Sequence, residues 1–348
     1  MSGTVLFAGA HTGGHLYPAI AVAHELRRFG VQCVFAGVGK EIERSILDPE
    51  PFPFTAVPEW ANPADLPRGW AATRRLFSEL SPAAVIGTGG AAALGPGARC
   101  AWSRRPLFLL EPNRVLGRAN RWLLRFAARV FLAFPVTDGP RLLRRRSLVY
   151  GCPVRSPFRV APLPEARSVL VLGGSQGSQE LNGLVLEAAR RCGGAGWRFH
   201  HVSGPGKTEA LREGYSAAGI DAEVVEYEAD VAEQLRSHSL VIARSGGSTV
   251  AEIAAVGRGA CFVPYPHHKD RQQFRNAELA VSAGAAEVID GDVDRLTETL
   301  KTLADDPARL QEMADASARL GRPDAASDIA RVVATHIEEL PSGAEKVA

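Results

Sequence analysis

The feature that most limits the possible folds of this chain is a pattern that occurs twice, an apolar run followed by a glycine-bearing loop. Near the start, the apolar run Thr4 to Gly9 leads into the glycine-bearing loop Gly9-Ala10-His11-Thr12-Gly13-Gly14-His15. In mid-chain, the run Ser168 to Leu172 leads into a second such loop, Gly173 to Ser178. Strand-like and helix-like segments alternate after both loops. This order predicts an α/β fold of two doubly wound parallel sheets, because strands that alternate with helices pair in parallel.

The segment between the two series is typical of a linker, because prolines are frequent in it. Four lie between Cys152 and Ala166, namely Pro153, Pro157, Pro162 and Pro164. We therefore predict a first domain at 1-155 and a second at 156-348. The part of the second domain that follows Val293 is expected to be helical, with a break at Asp305-Asp306-Pro307, and is a candidate to pack back on the first domain.

Apolar runs bounded by turn residues predict the other strands. In the first domain they are expected at 31–37, 83–87, 107–110, 130–134 and 147–151. In the second they are expected at 199–202, 223–227, 240–243, 260–263 and 287–289.

The two predicted domains differ in charge. Residues 1–155 contain 20 Lys and Arg against 10 Asp and Glu, and the remainder contains 20 against 28. Basic and apolar residues are interleaved in one segment: Arg114, Arg118, Arg121, Arg125 and Arg129 with Trp122, Leu123, Leu124, Phe126 and Val130. This pattern predicts an amphipathic helix on an anionic membrane surface, and an ordinary helix with a solvated basic face is the alternative. The chain contains no nucleic-acid motif, so we expect no nucleic-acid partner.

No apolar run reaches 18 residues, and no basic leader precedes the first strand. We therefore expect neither a transmembrane helix nor a signal peptide, and a cytoplasmic location. The five cysteines are scattered and include no CxxC pair, which predicts free thiols and not a disulfide or zinc site.

The stretch from Leu240 to Ala277 contains the strongest indication of a ligand. An apolar run ends at Arg244-Ser245-Gly246-Gly247, and a helix with Thr249 and Glu252 three residues apart is expected next. That spacing fits a capping box. A helix N-terminus behind a glycine turn can equally bind phosphate, and a carboxylate can bind a ribose diol. Since Gln272 and Gln273 after the next strand offer amides for sugar hydroxyls, the combination predicts a nucleotide-sugar site at the carboxyl edge of the second sheet.

Seven blocks of the chain occur in a recognisable order. They are Thr12-Gly13-Gly14-His15 with Pro18, Gly87-Thr88-Gly89-Gly90, Glu111 with Asn113, Pro153-Val154-Arg155, Gly173-Gly174-Ser175-Gln176-Gly177 with Asn182, Arg244-Ser245-Gly246 through Thr249 and Glu252, and Asp270-Arg271-Gln272-Gln273 with Asn276. Together they resemble the MurG family of peptidoglycan glycosyltransferases over nearly the whole length. The resemblance implies the GT-B glycosyltransferase fold, two doubly wound domains separated by a cleft.

The resemblance also implies an activity. It is the inverting transfer of N-acetylglucosamine (GlcNAc) from UDP-GlcNAc to the C4 hydroxyl of N-acetylmuramic acid (MurNAc) in undecaprenyl-pyrophosphoryl-MurNAc-pentapeptide. The first domain would bind this lipid-linked acceptor and face the membrane, and the second would bind UDP-GlcNAc. The protein would be peripheral, at the cytoplasmic face of the cell membrane, where an anionic surface attracts arginines.

Individual residues acquire roles by the same resemblance. In the second domain these are Ser175 at the diphosphate, Glu228 within the segment Tyr227 to Asp230 at the uracil, Gly247, Ser248 and Thr249 beside sugar and phosphate, Glu252 on the ribose, and Gln272 and Gln273 on the GlcNAc hydroxyls. Arg155 would reach the donor from the linker. In the first domain, Thr12, Gly13 and Gly14 would line the cleft, and Asn113 would contact the transferred sugar.

The transfer needs a base for the acceptor hydroxyl. His15 is the first candidate, because histidine titrates in a useful range. A helix N-terminus disfavours the imidazolium form, so a positioning role for His15 stays open. Glu111 is the rival base. We expect no metal and no cofactor, because a glycine loop and a helix N-terminus can stabilise the leaving diphosphate without one.

The chain departs from the family at several positions, and the most telling departure is one block. Leu110-Glu111-Pro112-Asn113 stands where the family has His-Glu-Gln-Asn. The departure leaves open a UDP-sugar transferase that acts on another lipid or small-molecule acceptor. An epimerase of the same fold and a non-catalytic nucleotide-sugar binding subunit are further alternatives.

Overall fold

The computed structural model describes residues 3–9, 12–59, 65–135, 140–174, 176–267 and 270–339. They form two compact units. Unit 1 comprises the described residues within Met1–Arg155 and Asp324–Ala348, and unit 2 comprises those within Ser156–Pro323. The chain therefore leaves unit 1 after Arg155, where the linker was expected, and returns to it at Asp324.

Unit 1 is built on a parallel sheet of seven strands. They are β1 (Thr4–Gly9), β2 (Gln32–Gly37), β3 (Phe54–Ala56), β4 (Ala84–Gly89), β5 (Leu107–Glu111), β6 (Ala127–Leu132) and β7 (Ser147–Val149). Their order across the sheet is β3-β2-β1-β4-β5-β6-β7, and every pairing is parallel. Its helices are α1 (Gly13–Arg28), α2 (Glu41–Leu47), α3 (Leu66–Leu80), α4 (Leu94–Ser103), α5 (Arg118–Leu123) and α6 (Arg141–Arg146).

Unit 2 is built on a parallel sheet of six strands. They are β8 (Ser168–Leu172), β9 (Arg198–Val202), β10 (Ala222–Val225), β11 (Leu240–Ala243), β12 (Gly259–Phe262) and β13 (Ala286–Val288), in the order β10-β9-β8-β11-β12-β13. Its helices are α7 (Gln179–Arg191), α8 (Thr208–Ala217), α9 (Val231–Ser237), α10 (Gly247–Val256), α11 (Gln272–Ser282), α12 (Val293–Asp305) and α13 (Pro307–Leu320). The predicted fold of two doubly wound parallel sheets is confirmed.

Helices cover both faces of the first sheet, because successive strand residues point to opposite sides. Phe7 of β1 packs with Ile20 of α1 on one face, and its neighbour Leu6 packs in the same cluster as Cys100 of α4 on the other. The last helix, α14 (Ala325–Glu338), completes the first of these layers, where its Val333 is fully buried.

In both sheets the strand order reverses beside the first strand of the unit. The reversal lies between β1 and β4 in unit 1 and between β8 and β11 in unit 2. In doubly wound sheets, ligands bind at the carboxyl ends of the two strands that flank this point. Thr12 precedes α1, whose first turn contains Gly13 to His15, and β4 ends at Gly89, next to Gly90. The connections after β8 and β11 contain Gly173 to Ser178 and Arg244 to Gly246, and α10 begins at Gly247.

The amphipathic helix predicted for the arginine-rich segment is wrong. Helix α5 ends at Leu123, a 3₁₀ turn at Leu124–Phe126 follows, and Arg129 lies in strand β6. Pairing of β6 with β5 and β7 satisfies its backbone and overrides the helical spacing. Trp122 is nevertheless 41% exposed, so part of the predicted apolar surface exists.

Strand β3 was not expected. It has three residues at the edge of the sheet, which is too short to show alternation, and it follows two prolines, Pro51 and Pro53. The carbonyl of Pro53 accepts from the N–H of Phe35 at 2.8 Å, so the pairing with β2 begins before the strand itself.

Candidate functional site

The glycine loop after β8 packs backbone to backbone against the loop after β9. Gly177 and Gly204 have φ angles of +64° and +81°. A Cβ on Gly177 would collide with the carbonyl oxygen of Ser203, and a Cβ on Gly204 would collide with Gly177. Glycine alone permits both the angles and the approach. The backbone therefore sets the shape of the loop that is predicted to bind the diphosphate. Ser175, the residue of this loop that is predicted to contact the diphosphate, lies outside the described residues.

A buried hydrogen-bond network lies behind this loop. Asn182 donates from Nδ2 to the carbonyl of Ser203 at 2.9 Å, so its Oδ1 faces Nε2 of His201 at 3.1 Å. Nε2 must then carry the ring proton, and Nδ1 accepts from the hydroxyl of Tyr215 at 2.9 Å. Burial, with a smaller effect of nearby His200, lowers the pKa of His201 to about 3.

The neutral state of His201 gives a prediction for pH. Since its pKa is lowered from 6.5 to about 3 on folding, only the unfolded chain binds a proton there between these values. The contribution of His201 to stability is therefore complete above pH 6.5 and is lost progressively as the pH falls. We expect the free energy of unfolding of unit 2 to fall less steeply with acidification in His201→Gln. Urea unfolding of the full chain at pH 7.5 and pH 4.5 measures this.

An unaltered acid dependence in His201→Gln would contradict the assignment.

Helix α10 begins earlier than the capping-box prediction requires. Gly246 is its N-cap, no side chain caps it, and Gly247 is the first helical residue. Thr249 is thus the third residue of the helix and Glu252 the sixth, so the capping box is wrong. The N–H groups of residues 247–249 form the first turn and have no partner within the helix. This turn is a suitable anion site, with the half-buried carboxylate of Glu252 one turn further along.

The loop after β12 fixes the orientation of Gln273. Its side-chain Oε1 accepts from the N–H of Tyr265 at 2.9 Å, and its backbone carbonyl accepts from the hydroxyl of Ser245 at 2.9 Å. Because the N–H of Tyr265 holds Oε1, the amide has a fixed orientation and keeps its NH₂ group as a donor for a ligand. The neighbouring Gln272 opens α11, and its N–H donates to Asp270 Oδ1 at 3.2 Å.

Glu228 turns its side chain inward. One carboxylate oxygen lies 3.2 Å from Nε2 of buried His200, and the other accepts from the N–H of Asp230 at 2.8 Å. The side chain of Glu228 therefore stabilises the loop that is predicted to face the uracil.

In unit 1, His15 lies in the first turn of α1 and packs against the end of β4. Thr12 is the N-cap, and its Oγ1 lies 3.4 Å from Nδ1 of His15. Gly89 has a φ of +101°, and a Cβ there would lie 3.2 Å from Nε2 of His15. The tautomer in which Nδ1 donates to Thr12 Oγ1 leaves Nε2 as the acceptor nitrogen, as a general base requires.

Glu111 is surrounded by donors. It is 2% exposed, and its two oxygens accept from the N–H and Nδ2 of Asn113 at 3.2 and 3.3 Å, from the N–H of Gly117 at 2.8 Å and from Nδ2 of Asn120 at 3.0 Å. Burial raises the pKa of this carboxyl, and the hydrogen bonds act in the opposite direction. The carboxyl therefore fixes Asn113 and its loop.

Arg155 is stacked on a residue that the sequence analysis did not single out. Its guanidinium carbon lies 4.5 Å from the ring centroid of Tyr17, in the second turn of α1. The same ring packs on Gly13, where a Cβ would lie 2.9 Å from it. The spacing of Gly13 and Tyr17 by one helical turn indicates the contact between these two residues, but no local spacing indicates the contact with Arg155.

The described residues were searched for metal-binding groups and for helices that could cross a membrane. Within the described residues, no group of three His, Cys, Asp or Glu side chains could hold a metal ion. In the same part of the chain, no helix is both long and apolar enough to cross a membrane.

Comparison with known proteins agrees on one family. The model of the glycosyltransferase family 28 N-terminal domain matches residues 5–132, and that of the family 28 C-terminal domain matches residues 168–329. A protein of Alkalilimnicola ehrlichii is 37% identical over 95% of this chain and 98% of its own length, and one of Hahella chejuensis is 35% identical over 95% and 98%. Both are named UDP-N-acetylglucosamine–N-acetylmuramyl-(pentapeptide) pyrophosphoryl-undecaprenol N-acetylglucosamine transferase.

Solved structures of other proteins are also similar to this chain. MurG of Acinetobacter baumannii has a TM-score of 0.80 at 26% identity, with 96% of this chain and 99% of that chain covered. A UDP-GlcNAc 2-epimerase of Neisseria meningitidis has a TM-score of 0.69 at 13% identity, with 96% and 100% covered, and shares the fold alone.

Proposed function

The chain belongs to glycosyltransferase family 28 and, within it, to the MurG enzymes, and on that premise we propose how its residues perform the transfer. It is an N-acetylglucosaminyltransferase that moves GlcNAc from UDP-GlcNAc to the C4 hydroxyl of MurNAc in undecaprenyl-pyrophosphoryl-MurNAc-pentapeptide. The acceptor oxygen forms a bond to the anomeric carbon as the bond to the diphosphate breaks. The hydroxyl proton passes to a base, and UDP leaves with the electron pair.

Unit 2 binds the donor in this proposal. The first turn of α10 and the glycine loop supply N–H groups for the diphosphate, on which negative charge increases as UDP leaves. Glu252 binds the ribose hydroxyls, and the NH₂ groups of Gln273 and Gln272 bind sugar hydroxyls. The fixed orientation of the Gln273 amide is the observation that best supports this assignment.

Unit 1 binds the acceptor. His15 takes the proton from the C4 hydroxyl, Thr12 orients the imidazole, and the N–H groups of Gly13 and Gly14 at the start of α1 suit the acceptor pyrophosphate. Asn113 contacts the transferred sugar from a loop that Glu111 fixes. Leu110 is 1% exposed and Pro112 is buried. Both residues that differ from the family's block are therefore buried inside the unit. Because buried side chains do not face an acceptor, these differences support the acceptor that the family uses.

A transfer assay tests the activity. Purified protein in detergent is incubated with radiolabelled UDP-GlcNAc and undecaprenyl-pyrophosphoryl-MurNAc-pentapeptide, with and without a chelator. Label should enter the lipid fraction in both samples. If the protein binds UDP-GlcNAc and labels only another lipid acceptor, the acceptor assignment is wrong. If label transfer stops with the chelator, the metal-free mechanism is wrong.

A surface of unit 1 supports peripheral binding to an anionic membrane. Trp122 is 41% exposed and Phe126 36%, and their ring centroids lie 5.6 Å apart. Arg125 lies 5.4 Å from the Trp122 ring and 5.8 Å from the Phe126 ring. Arg118, Arg121 and Arg125 are all exposed. Aromatic rings with adjacent arginines suit the interface of a membrane that carries negative charge.

Vesicle binding should depend on this surface. One arginine near an anionic membrane contributes about 1 kcal/mol, so Arg125→Gln should weaken binding to phosphatidylglycerol vesicles about fivefold. Trp122→Ser should weaken it as well. Cosedimentation measures both, and Val160→Ser in unit 2, at a side chain 59% exposed, is the control. Equal binding to phosphatidylcholine vesicles would rule out an anionic surface as the partner.

A further inference from the structure

Three loops of unit 2 meet at one buried arginine at the end of β11. Arg244 is 9% exposed. Its NH1 donates to the carbonyls of Val263 and Pro264, at 3.1 and 3.2 Å, in the loop after β12. Its NH2 donates to the hydroxyl of Ser178 at 2.7 Å and to a carboxylate oxygen of Glu180 at 2.8 Å, at the end of the glycine loop. One planar guanidinium thus joins the diphosphate loop to the loop that precedes the glutamines.

The second of these loops leads directly to the sugar-binding amide. The guanidinium of Arg244 lies 5.6 Å from the ring centroid of Tyr265, and the N–H of Tyr265 donates to Oε1 of Gln273. From the other side, Ser245 donates to the carbonyl of Gln273 and accepts from Nδ2 of Asn276 at its own carbonyl, at 3.1 Å. A displacement of Arg244 would therefore move Gln273 through both of its neighbours.

Arg244 also contacts the end of the glycine loop directly. Ser178 is the N-cap of α7, and its hydroxyl oxygen accepts from the N–H of Leu181 at 3.3 Å while its other contact is to Arg244. The helix start and the guanidinium thus share one hydroxyl. Glu180 supplies the negative charge that a buried guanidinium needs, from a side chain that is 59% exposed.

We propose that Arg244 is a positioning residue for the donor sugar, which sets the distance between the glycine loop that binds the diphosphate and the amide of Gln273 that binds the sugar hydroxyls. This inference rests on the proposed function, since it presumes a UDP-sugar donor. It adds a specificity role for a residue that acts through the protein groups it contacts. Lysine cannot replace it, because a single ammonium does not bridge two loops as a planar fork of donors does.

A double-mutant cycle on kcat/KM for UDP-GlcNAc tests the proposal. The variants are Arg244→Lys, Gln273→Ala and the two together. Each single change should lower kcat/KM at least about tenfold, the usual range for a lost hydrogen bond of a charged group or of a sugar hydroxyl. If Arg244 acts through Gln273, the double variant should be little worse than Gln273→Ala alone. The non-additivity separates positioning from a loss of stability, because independent effects would multiply.

Arg258 provides a matched control in the same unit. It is fully buried, and its guanidinium donates to main-chain carbonyls of Ala161, Pro162, Leu235, Arg236, Val256 and Gly257. Arg258→Lys should lower the melting temperature, leave kcat/KM of the folded protein unchanged and show no coupling to Gln273→Ala.

Three outcomes would overturn the proposal. Multiplicative effects of Arg244→Lys and Gln273→Ala would make Arg244 a general stabilising residue. An unchanged kcat/KM in Arg244→Lys would remove its role altogether. If Gln273→Ala has no effect while the wild type transfers GlcNAc, the route through Gln273 is wrong and the proposed function stands. A wild type that binds neither UDP nor UDP-GlcNAc would refute the proposed function first.

Discussion

Replacing His15 with Ala should lower kcat for GlcNAc transfer by about 100- to 10,000-fold, the range that general-base catalysis supplies. The variant lacks His15 Nε2, the atom near the end of β4 that is proposed to take the proton of the acceptor hydroxyl. The donor is assigned to unit 2, so the Kd for UDP-GlcNAc should stay within about twofold. Single-turnover transfer and calorimetric binding measure the two quantities separately.

Helix α1 contains its own control for this experiment. His24 lies on the same helix, but it pairs with Glu50 at 2.7 Å and is 45% exposed. His24→Ala should leave kcat unchanged. If His15→Ala retains kcat within a factor of about three, the imidazole only positions the acceptor, and the assignment of the base must be abandoned.

The second large effect is expected from Gly177→Ala. The alanine Cβ would collide with the carbonyl oxygen of Ser203, and it would stand on a residue with a φ of +64°. The positive φ alone costs an alanine about 1–2 kcal/mol, and relief of the collision requires the two loops to separate. We expect UDP-GlcNAc binding to weaken by at least about 100-fold and the melting temperature to fall.

Gly183 serves as the comparison, because it lies in α7 with no atom within 4 Å of the position of a Cβ. Gly183→Ala should keep donor affinity and stabilise the helix by about 0.5–1 kcal/mol. Tight donor binding by Gly177→Ala would show that the glycine loop is not part of the diphosphate site.

Much of the site could be predicted because it depends on chain order. The segments from Thr12 to His15 and from Arg244 to Gly247 follow the strands beside each reversal of strand order, and the alternation of strands and helices along the chain determines where those reversals lie. Helix starts were harder. The spacing of Thr249 and Glu252 fits a capping box that starts at Thr249. The helix instead begins at Gly247, two residues earlier, because Gly246 is its N-cap.

Contacts across the fold were beyond sequence reasoning. Arg244 was visible as part of a motif, but its bonds to Ser178 and Pro264 join residues 66 and 20 positions away. The same holds for His201, whose partners Asn182 and Tyr215 lie on two different helices. Local spacing cannot show which distant groups fill the remaining bonds of a buried polar side chain.

The return of α14 to unit 1 has a consequence for the newly made chain. During synthesis, residues 156–323 leave the ribosome before α14, so unit 2 has its whole sequence available while unit 1 still lacks Ile329 and Val333, two fully buried side chains of its core. Domains fold as units when their residues have emerged. The segment translated first is therefore the one whose core is completed last, and the apolar face between β1 and α1 stays incompletely covered until translation reaches the last helix.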